Sequence, residues 1–342
     1  MPTADLITPT RNDAPPPRKG RTRQLPPAIS GQELVLVGAI VVLWIFLGVS
    51  TPAFLSPGSL QPLLSNIAPI AIMAIGQTLI MIMAGIDVSV GAMTMVSAVI
   101  AAKLMVLLDT PFIVTVGAAI LVGGLLGLTN GLLIAVGRVH AIIITFATSN
   151  IFLFIGLRIF DSNTVNGIPE TLSVLGKGVG GRLLGIPISF LIMVVLAAIA
   201  WWYLRYTPGG RHFYAIGSDA DAARLAGIRV ERRRVIAYTV SGLLVGFASC
   251  IVIANGTQNL DQSVGTGLAL STIAAVVIGG TSVMGGRGGV LGTILGAVLV
   301  QTVVSGVTQL GLPSQLADLF VGIFIIISVG ADLIRARARR RA

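Results

Sequence analysis

The ionisable residues of this chain are confined to islands. No Asp, Glu, Lys, Arg or His occurs between Glu33 and Asp87, nor within 110–137, 141–157, 183–204, 235–260, 262–286, 288–317 or 319–331. A helix needs about 20 mostly apolar residues to cross the hydrocarbon core. Lipid in turn admits only structures that satisfy their own backbone polar groups. Ten spans fit these stretches: 33–50, 61–84, 90–108, 112–136, 141–160, 183–204, 235–256, 267–284, 289–311 and 314–332. The first stretch supplies two of them, broken at Thr51-Pro52 and Ser56-Pro57-Gly58. Composition agrees. Only 11% of the 342 residues are charged and mean hydropathy is +0.94, against about 25% charged in soluble domains. The expectation is an all-α, polytopic integral membrane protein with about ten transmembrane helices.

Charge then sets the orientation. The net charge of +10 would suit nucleic acid if it were spread over a surface, but it gathers at the chain ends and in one loop. With both termini cytoplasmic, every Lys and Arg except Lys103, Arg158, Lys177 and Arg182 falls on the inner side, as the positive-inside rule requires. Trp201, Trp202 and Tyr203 then fall at the inner interface, where aromatic belts form. Residues 1–31, rich in Pro, Thr and Arg, predict a disordered cytoplasmic arm. The first apolar run is a full span with no small-residue cleavage site behind it, which predicts an uncleaved anchor. Residues 32–334 form the expected membrane domain, with a cytoplasmic loop at 206–234, and 335–342 a basic tail. The single cysteine, Cys250, excludes a disulfide framework. The two histidines, His140 and His212, give no metal cluster, and no nucleophile–base spacing is visible. Gly123, Gly127 and Gly131 recur every four residues on one face of the fourth span, which suits close helix packing in lipid.

Three segments carry more information. In Gly85-Ile86-Asp87-Val88-Ser89-Val90-Gly91, Asp87 is the only acid between Glu33 and Asp109. A charge deep in a membrane helix costs on the order of 3 kcal/mol on insertion scales. The glycines and Ser89 predict a break between spans two and three, either a solvated turn or a gate element lining a cavity. The second segment, Ile278 to Gly289, holds Gly279, Gly280, Thr281 and Ser282 and six glycines in all. No Gly-Lys-Ser/Thr follows, which argues against a phosphate loop, so it reads as a tight interhelical turn or a moving gate. The third is the basic loop. Ser218 and Asp221 have capping-box spacing, preceded by Gly217 and enclosing Asp219. Ala222, Ala223, Arg224 and Leu225 are good helix formers, and Gly227 supplies a stop. A short helix outside the bilayer follows, with Ala222, Ala223, Leu225 and Ile228 as a small apolar side suited to another protein's groove. The open alternative is a solvated loop that only controls topology. Asn130, Gln77, Thr145, Ser149 and Asn150 are candidates for hydrogen bonds between helices.

In this order the three segments resemble the permease subunits of bacterial ABC importers for monosaccharides and for the sugar-like autoinducer-2. The family's Gly-Ile-Asp-Leu-Ser-Val-Gly is similar to residues 85–91, its Gly-Arg-x-x-Tyr-Ala-Ile-Gly…Gly-Ile to Gly210–Ile228, and its Ile-Ala-Ala-Val-Val-Ile-Gly-Gly-Thr-Ser to Ile273–Ser282. Asn130-Gly131 and Thr145 also fit, and the resemblance runs from about residue 35 to 333. Three departures stand out. Ala269-Leu270-Ser271-Thr272 replaces Glu-Leu-Asp-Ala, His140-Ala141-Ile142 stands near Val139 where Pro-Phe is usual, and Ser305-Gly306 replaces Asn-Gly. The resemblance implies a permease in the inner (plasma) membrane, paired with a second permease chain as a homodimer or heterodimer. It implies a separate ATP-binding-cassette ATPase that holds ATP and Mg and grips the 218–227 helix, and a periplasmic sugar-binding protein. The chain itself would bind no cofactor and catalyse no covalent step, and nucleic acid is not an expected partner. An ion-coupled secondary transporter is the alternative. It would usually keep acids or histidines deep in the bilayer, where only Asp87 is a candidate.

Overall fold

The computed structural model describes residues 31–176, 181–256 and 258–341, the side chains of 331–341 excepted. The expected N-terminal arm thus lies outside the described residues apart from Gly31, as does Lys177. Among the described residues, twelve α-helices follow one another. The first five are α1 Gly31–Ser50, α2 Pro57–Ile82, α3 Val90–Leu108, α4 Phe112–Gly137 and α5 Ala141–Phe160. Then come α6 Ile188–Tyr206, α7 Pro208–Ser218, α8 Ala220–Leu225 and α9 Val230–Asn255. The chain ends with α10 Leu268–Ile278, α11 Val290–Gln309 and α12 Gln315–Arg341. Eight of these are long and apolar enough to cross a membrane. The ten expected spans correspond one-to-one to helices, but α10 has only 11 residues, about 16 Å of rise. The expected span over 267–284 is therefore corrected to a half-length helix. It stops where Gly279 caps it and Gly280, at φ +90°, turns the chain away.

Side chains sort as lipid demands. Leu34, Val42, Phe46 and Val49 of α1 and Leu121, Leu125 and Val136 of α4 are exposed, the outward apolar face that a bilayer solvates. α2 and α3 are enclosed. The glycine stripe of α4 meets a matching stripe on α9. A side chain at Gly123 would strike Gly242 and Gly246, and one at Gly127 or Gly131 would strike the α9 backbone from Val235 to Gly242. The two main chains therefore lie in contact, which is how small residues drive association without a hydrophobic effect. Single polar bonds tie other helices together: Trp44 Nε1 donates to Thr302 Oγ1 (3.2 Å), Asn255 Nδ2 to the Ser65 carbonyl (2.7 Å), and Ser328 Oγ to the Val277 carbonyl (2.8 Å). On the outer side, Val165–Asn166 pairs antiparallel with Asn259–Leu260, and Arg182–Leu183 with Ile186–Pro187. These short pairs, with a 3-10 turn at Glu170–Leu175, fasten the connections flanking α6 and α10.

Candidate functional site

The expected cytoplasmic loop, 206–234, contains two helices rather than one. Thr207 is extended and its Oγ1 accepts from Gly210 N (3.0 Å), with Pro208 in the first helical turn. That is a complete helix start. The Thr207-Pro208 pair and the Phe213/Ile216 spacing were the signal for α7 in the sequence. Phe213 and Ile216 are buried among Ile75, Leu79 and Ile80 of α2 and Leu204 of α6. α7 takes Ser218 into its last turn, where Ser218 Oγ donates to the Tyr214 carbonyl (2.9 Å). Ser218 is therefore not the cap of the next helix. Asp219 is, with its Oδ1 accepting from Asp221 N (2.9 Å) and Ala222 N (3.0 Å).

The far end of α8 closes as expected. Gly227 has φ +82°, Ile228 N bonds the Ala223 carbonyl and Gly227 N the Arg224 carbonyl, a Schellman closure. The expected single apolar side does not hold. Ala223 is buried and Ile228 packs with it, while Ala222 and Leu225 point to solvent, Leu225 at 92% exposure. One turn of helix cannot face both ways, so Ala223 anchors α8 and Leu225 is left unpartnered. Arg224 fixes its azimuth, pairing with Asp221 (2.7 Å) and with Glu231 (2.8 Å) at the start of α9.

The three segments separated in sequence converge below α8. Gly217 has no room for a side chain, because a Cβ would overlap the Ile82 carbonyl oxygen at the end of α2 and lie 2.5 Å from Gly286 N. Gly286 N itself donates to the Ile82 carbonyl (2.8 Å). Tyr214 OH donates to the Gly288 carbonyl (3.0 Å), and Ser282 N to the Arg287 carbonyl (3.0 Å), closing the glycine turn on itself. Gly285, Gly286 and Gly288 all have positive φ, a conformation with little penalty only for glycine. The end of α7, the end of α2 and the glycine turn thus share one main-chain junction.

Directly beyond it lies the break. Ala84 turns the chain at φ +60°, and Gly85 N bonds back to the Ile80 carbonyl (3.0 Å). Asp87 is fully buried, so the solvated-turn reading does not hold. Its Oδ1 accepts from Ser89 N (2.8 Å) and Ser89 Oγ (2.6 Å), and Asn130 Nδ2 of α4 donates to Ser89 Oγ (2.8 Å). Thr145 Oγ1 of α5 accepts from Val88 N (3.2 Å) and donates to the Ile86 carbonyl (3.1 Å). Asp87, Ser89, Asn130 and Thr145 are therefore one cluster. Gly85 borders it, packed on Ile80 and Tyr238 OH, whereas Gly91 packs on the Gly265 carbonyl. Gly279, Gly280 and Thr281 serve elsewhere, Gly279 against Gly292 of α11, Gly280 against Gln32 and Thr281 against Gly288. It is Gly285 and Gly286, not the Gly279-Gly280 pair, that touch the break through Ala84 and Ile82.

The described residues form a polytopic helical membrane body in which a buried polar break meets, through Gly217, the neck of an exposed short helix. The chain belongs to the family described as "Branched-chain amino acid transport system / permease component", which matches residues 59–329. It is 34% identical over 295 residues to the ribose import permease protein RbsC of Escherichia coli K12, covering 86% of this chain and 91% of that one. It is 35% identical over 299 residues to the ribose import permease protein of Bacillus subtilis, covering 86% and 90%. The autoinducer 2 import system permease protein LsrC of Salmonella typhi is 33% identical over 299 residues, covering 87% and 84%. No solved structure matches the chain. It is a multi-pass protein homologous to bacterial inner-membrane permeases.

Proposed function

We propose that this chain, with a second permease chain, forms the inward path for a monosaccharide or similar small polyol. A separate ATP-binding-cassette ATPase grips α8, and a periplasmic sugar-binding protein delivers the solute. One observation carries the reading: the neck of α8, at Gly217, is seated on the end of α2, so a pull on α8 acts on the break that holds Asp87. The membrane interior supports a neutral polar cargo. Gln77, Ser97, Ser241 and Thr272 are buried with side-chain polar atoms that have no partner among the described residues. A polyol's hydroxyls are the complement of such groups, whereas an ionic cargo would need fixed opposite charge. Thr272 stands where the family usually has Ala, directly after the two usual acids that Ala269 and Ser271 replace, and it is a candidate for setting solute preference.

The test is uptake of labelled ribose and related pentoses into proteoliposomes holding the chain, its ATPase and its binding protein. ATP-dependent uptake that disappears with Leu225→Asp supports the reading. Uptake driven by an ion gradient in the absence of the ATPase would overturn it in favour of secondary transport.

A further inference from the structure

Beside the break, and separate from the polar cluster, lies a cavity of about 210 Å3 at the end of the bundle where the sequence places the cytoplasmic side. Ala84 and Gly85 form one wall, Arg138 and His140 of the α4–α5 turn a second, and Arg234 and Tyr238 of α9 a third. Two features set it apart from ordinary inner-surface charge. Tyr238, which lines the cavity, is only 2% exposed, yet its hydroxyl, packed beside Gly85 of the cavity wall, has no hydrogen-bond partner among the described residues. A buried, unsatisfied hydroxyl costs on the order of 1–3 kcal/mol and marks a place where a polar group is missing. In addition, Arg138 and Arg234 both line it, and among the described residues neither forms a salt bridge with a carboxylate. Glu231, one turn before Arg234, is bridged to Arg224, and Asp87 lies in the polar cluster with its Oδ1 bonded to Ser89. Arg138 is also held at φ +51°, a left-handed conformation unfavourable for a side chain with a Cβ.

We propose that this cavity binds the phosphate headgroup of an anionic phospholipid of the inner leaflet. Two guanidiniums match phosphate oxygens in charge and geometry, and the Tyr238 hydroxyl donates a further bond. Basic pockets between transmembrane helices on the cytoplasmic side are where such headgroups are held. The source of the phosphate follows from the rim. Leu133, Val136 and Val139 are exposed apolar side chains on the α4 end and the following turn, and they give acyl chains a path along the lipid face of α4. A soluble phosphate would have no use for that face. Because Ala84 and Gly85 form part of the wall, the bound headgroup braces the break in the arrangement described above.

The test uses the full chain, delipidated in detergent, titrated with dioleoyl phosphatidylglycerol, and read by native mass spectrometry. Phosphatidylcholine, inorganic phosphate and ribose 5-phosphate are run in parallel. Phosphatidylglycerol adducts are expected to persist, at least tenfold more strongly than phosphatidylcholine. They should weaken at least tenfold in Arg138→Gln/Arg234→Gln and severalfold in Tyr238→Phe, which removes only an oxygen. Equal retention of both lipids, or retention unchanged in both variants, overturns the proposal. Displacement of the lipid by millimolar inorganic phosphate or ribose 5-phosphate would assign the cavity to a soluble phosphate and overturn the lipid assignment. None of these readouts depends on transport, so the outcome stands apart from the identity of the cargo.

Discussion

Gly217→Ala is the sharpest perturbation of the junction. The added methyl overlaps the Ile82 carbonyl oxygen and lies 2.5 Å from Gly286 N. Both neighbours are main chain, so no rotamer change relieves the clash. Ordinary contact begins near 3.4 Å, so the glycine turn alone must retreat by at least 3.4 − 2.5 = 0.9 Å. That retreat breaks the 2.8 Å bond from Gly286 N to the Ile82 carbonyl, worth about 1 kcal/mol. Overpacking adds about 1–3 kcal/mol. A total near 3 kcal/mol corresponds to a loss on the order of 100-fold in the closed junction, at about 1.4 kcal/mol per tenfold. The assay is ATP-driven uptake in proteoliposomes, with membrane level and ATPase co-purification measured beside it. Uptake is expected to fall on the order of 100-fold while co-purification persists, because α8 itself is untouched. Gly289→Ala is the matched control in the same glycine turn, since its backbone is extended and nothing lies within 4 Å of the new methyl. Gly217→Ala uptake within twofold of wild type would refute the junction as a coupling element, and so would equal damage from Gly289→Ala.

Three further outcomes are expected. Leu225→Asp should abolish ATPase co-purification while the thermal midpoint stays unchanged, because a fully solvated position moves stability by no more than about 0.5 kcal/mol; retained co-purification would remove α8 as the docking element. Asp219→Ala should lower ATP-driven uptake severalfold through loss of a cap worth about 1 kcal/mol, while Ser218→Ala leaves uptake near wild type, and the reverse ranking would restore Ser218 as the cap. Asp87→Asn keeps an acceptor for Ser89 N and should retain much of the uptake. Asp87→Ala orphans that N–H at a cost of about 1–3 kcal/mol and should reduce uptake at least tenfold, and two wild-type rates would show the cluster to be passive.

The spans were legible because lipid makes a one-dimensional demand: a stretch without charge, long enough to cross. The α4 glycines were legible for a similar reason, since a spacing of four places them on one face wherever the partner lies. α10 was misread because hydropathy does not distinguish an apolar helix from an apolar turn. Residues 279–289 are as uncharged as a span apart from Arg287, and only the sign of φ at Gly280, Gly285, Gly286 and Gly288 separates them from one. The Ser218 cap failed because two helices compete for one serine, and α7 wins by burying Phe213 and Ile216. Asp87 was recognisable as costly, but its stabilisers Ser89 and Asn130 are 41 residues apart. The junction was out of reach altogether, since it consists of main-chain contacts among Ile82, Gly217 and Gly286 that no side-chain chemistry announces.

Under the proposed coupling, the hydrogen bonding of the break would carry a pull on α8 into the membrane body. Local bonds within the break, such as those from Ser89 to Asp87, are joined by several to other elements. The Ile82 carbonyl is used by Gly286, the Ile86 carbonyl and Val88 N by Thr145 of α5, and Ser89 Oγ by Asn130 of α4. Each is an obligatory group, and an orphaned one in a water-poor interior costs several kcal/mol. The break therefore cannot drift by small amounts without losing bonds to several elements together. Its low-energy options are to stay or to exchange the whole set of partners, the behaviour expected of a two-state element rather than a spring. Such an element needs only a modest bias, which under the proposed coupling would come from the α7 end packed on Ile82 at Gly217. Disrupting the Thr145 bonds should then shift the balance between the same two states rather than create a third. Thr145→Val is accordingly expected to alter uptake and the ATP concentration needed for it together, and a change in uptake at unaltered ATP dependence would show the break to be a flexible linker instead.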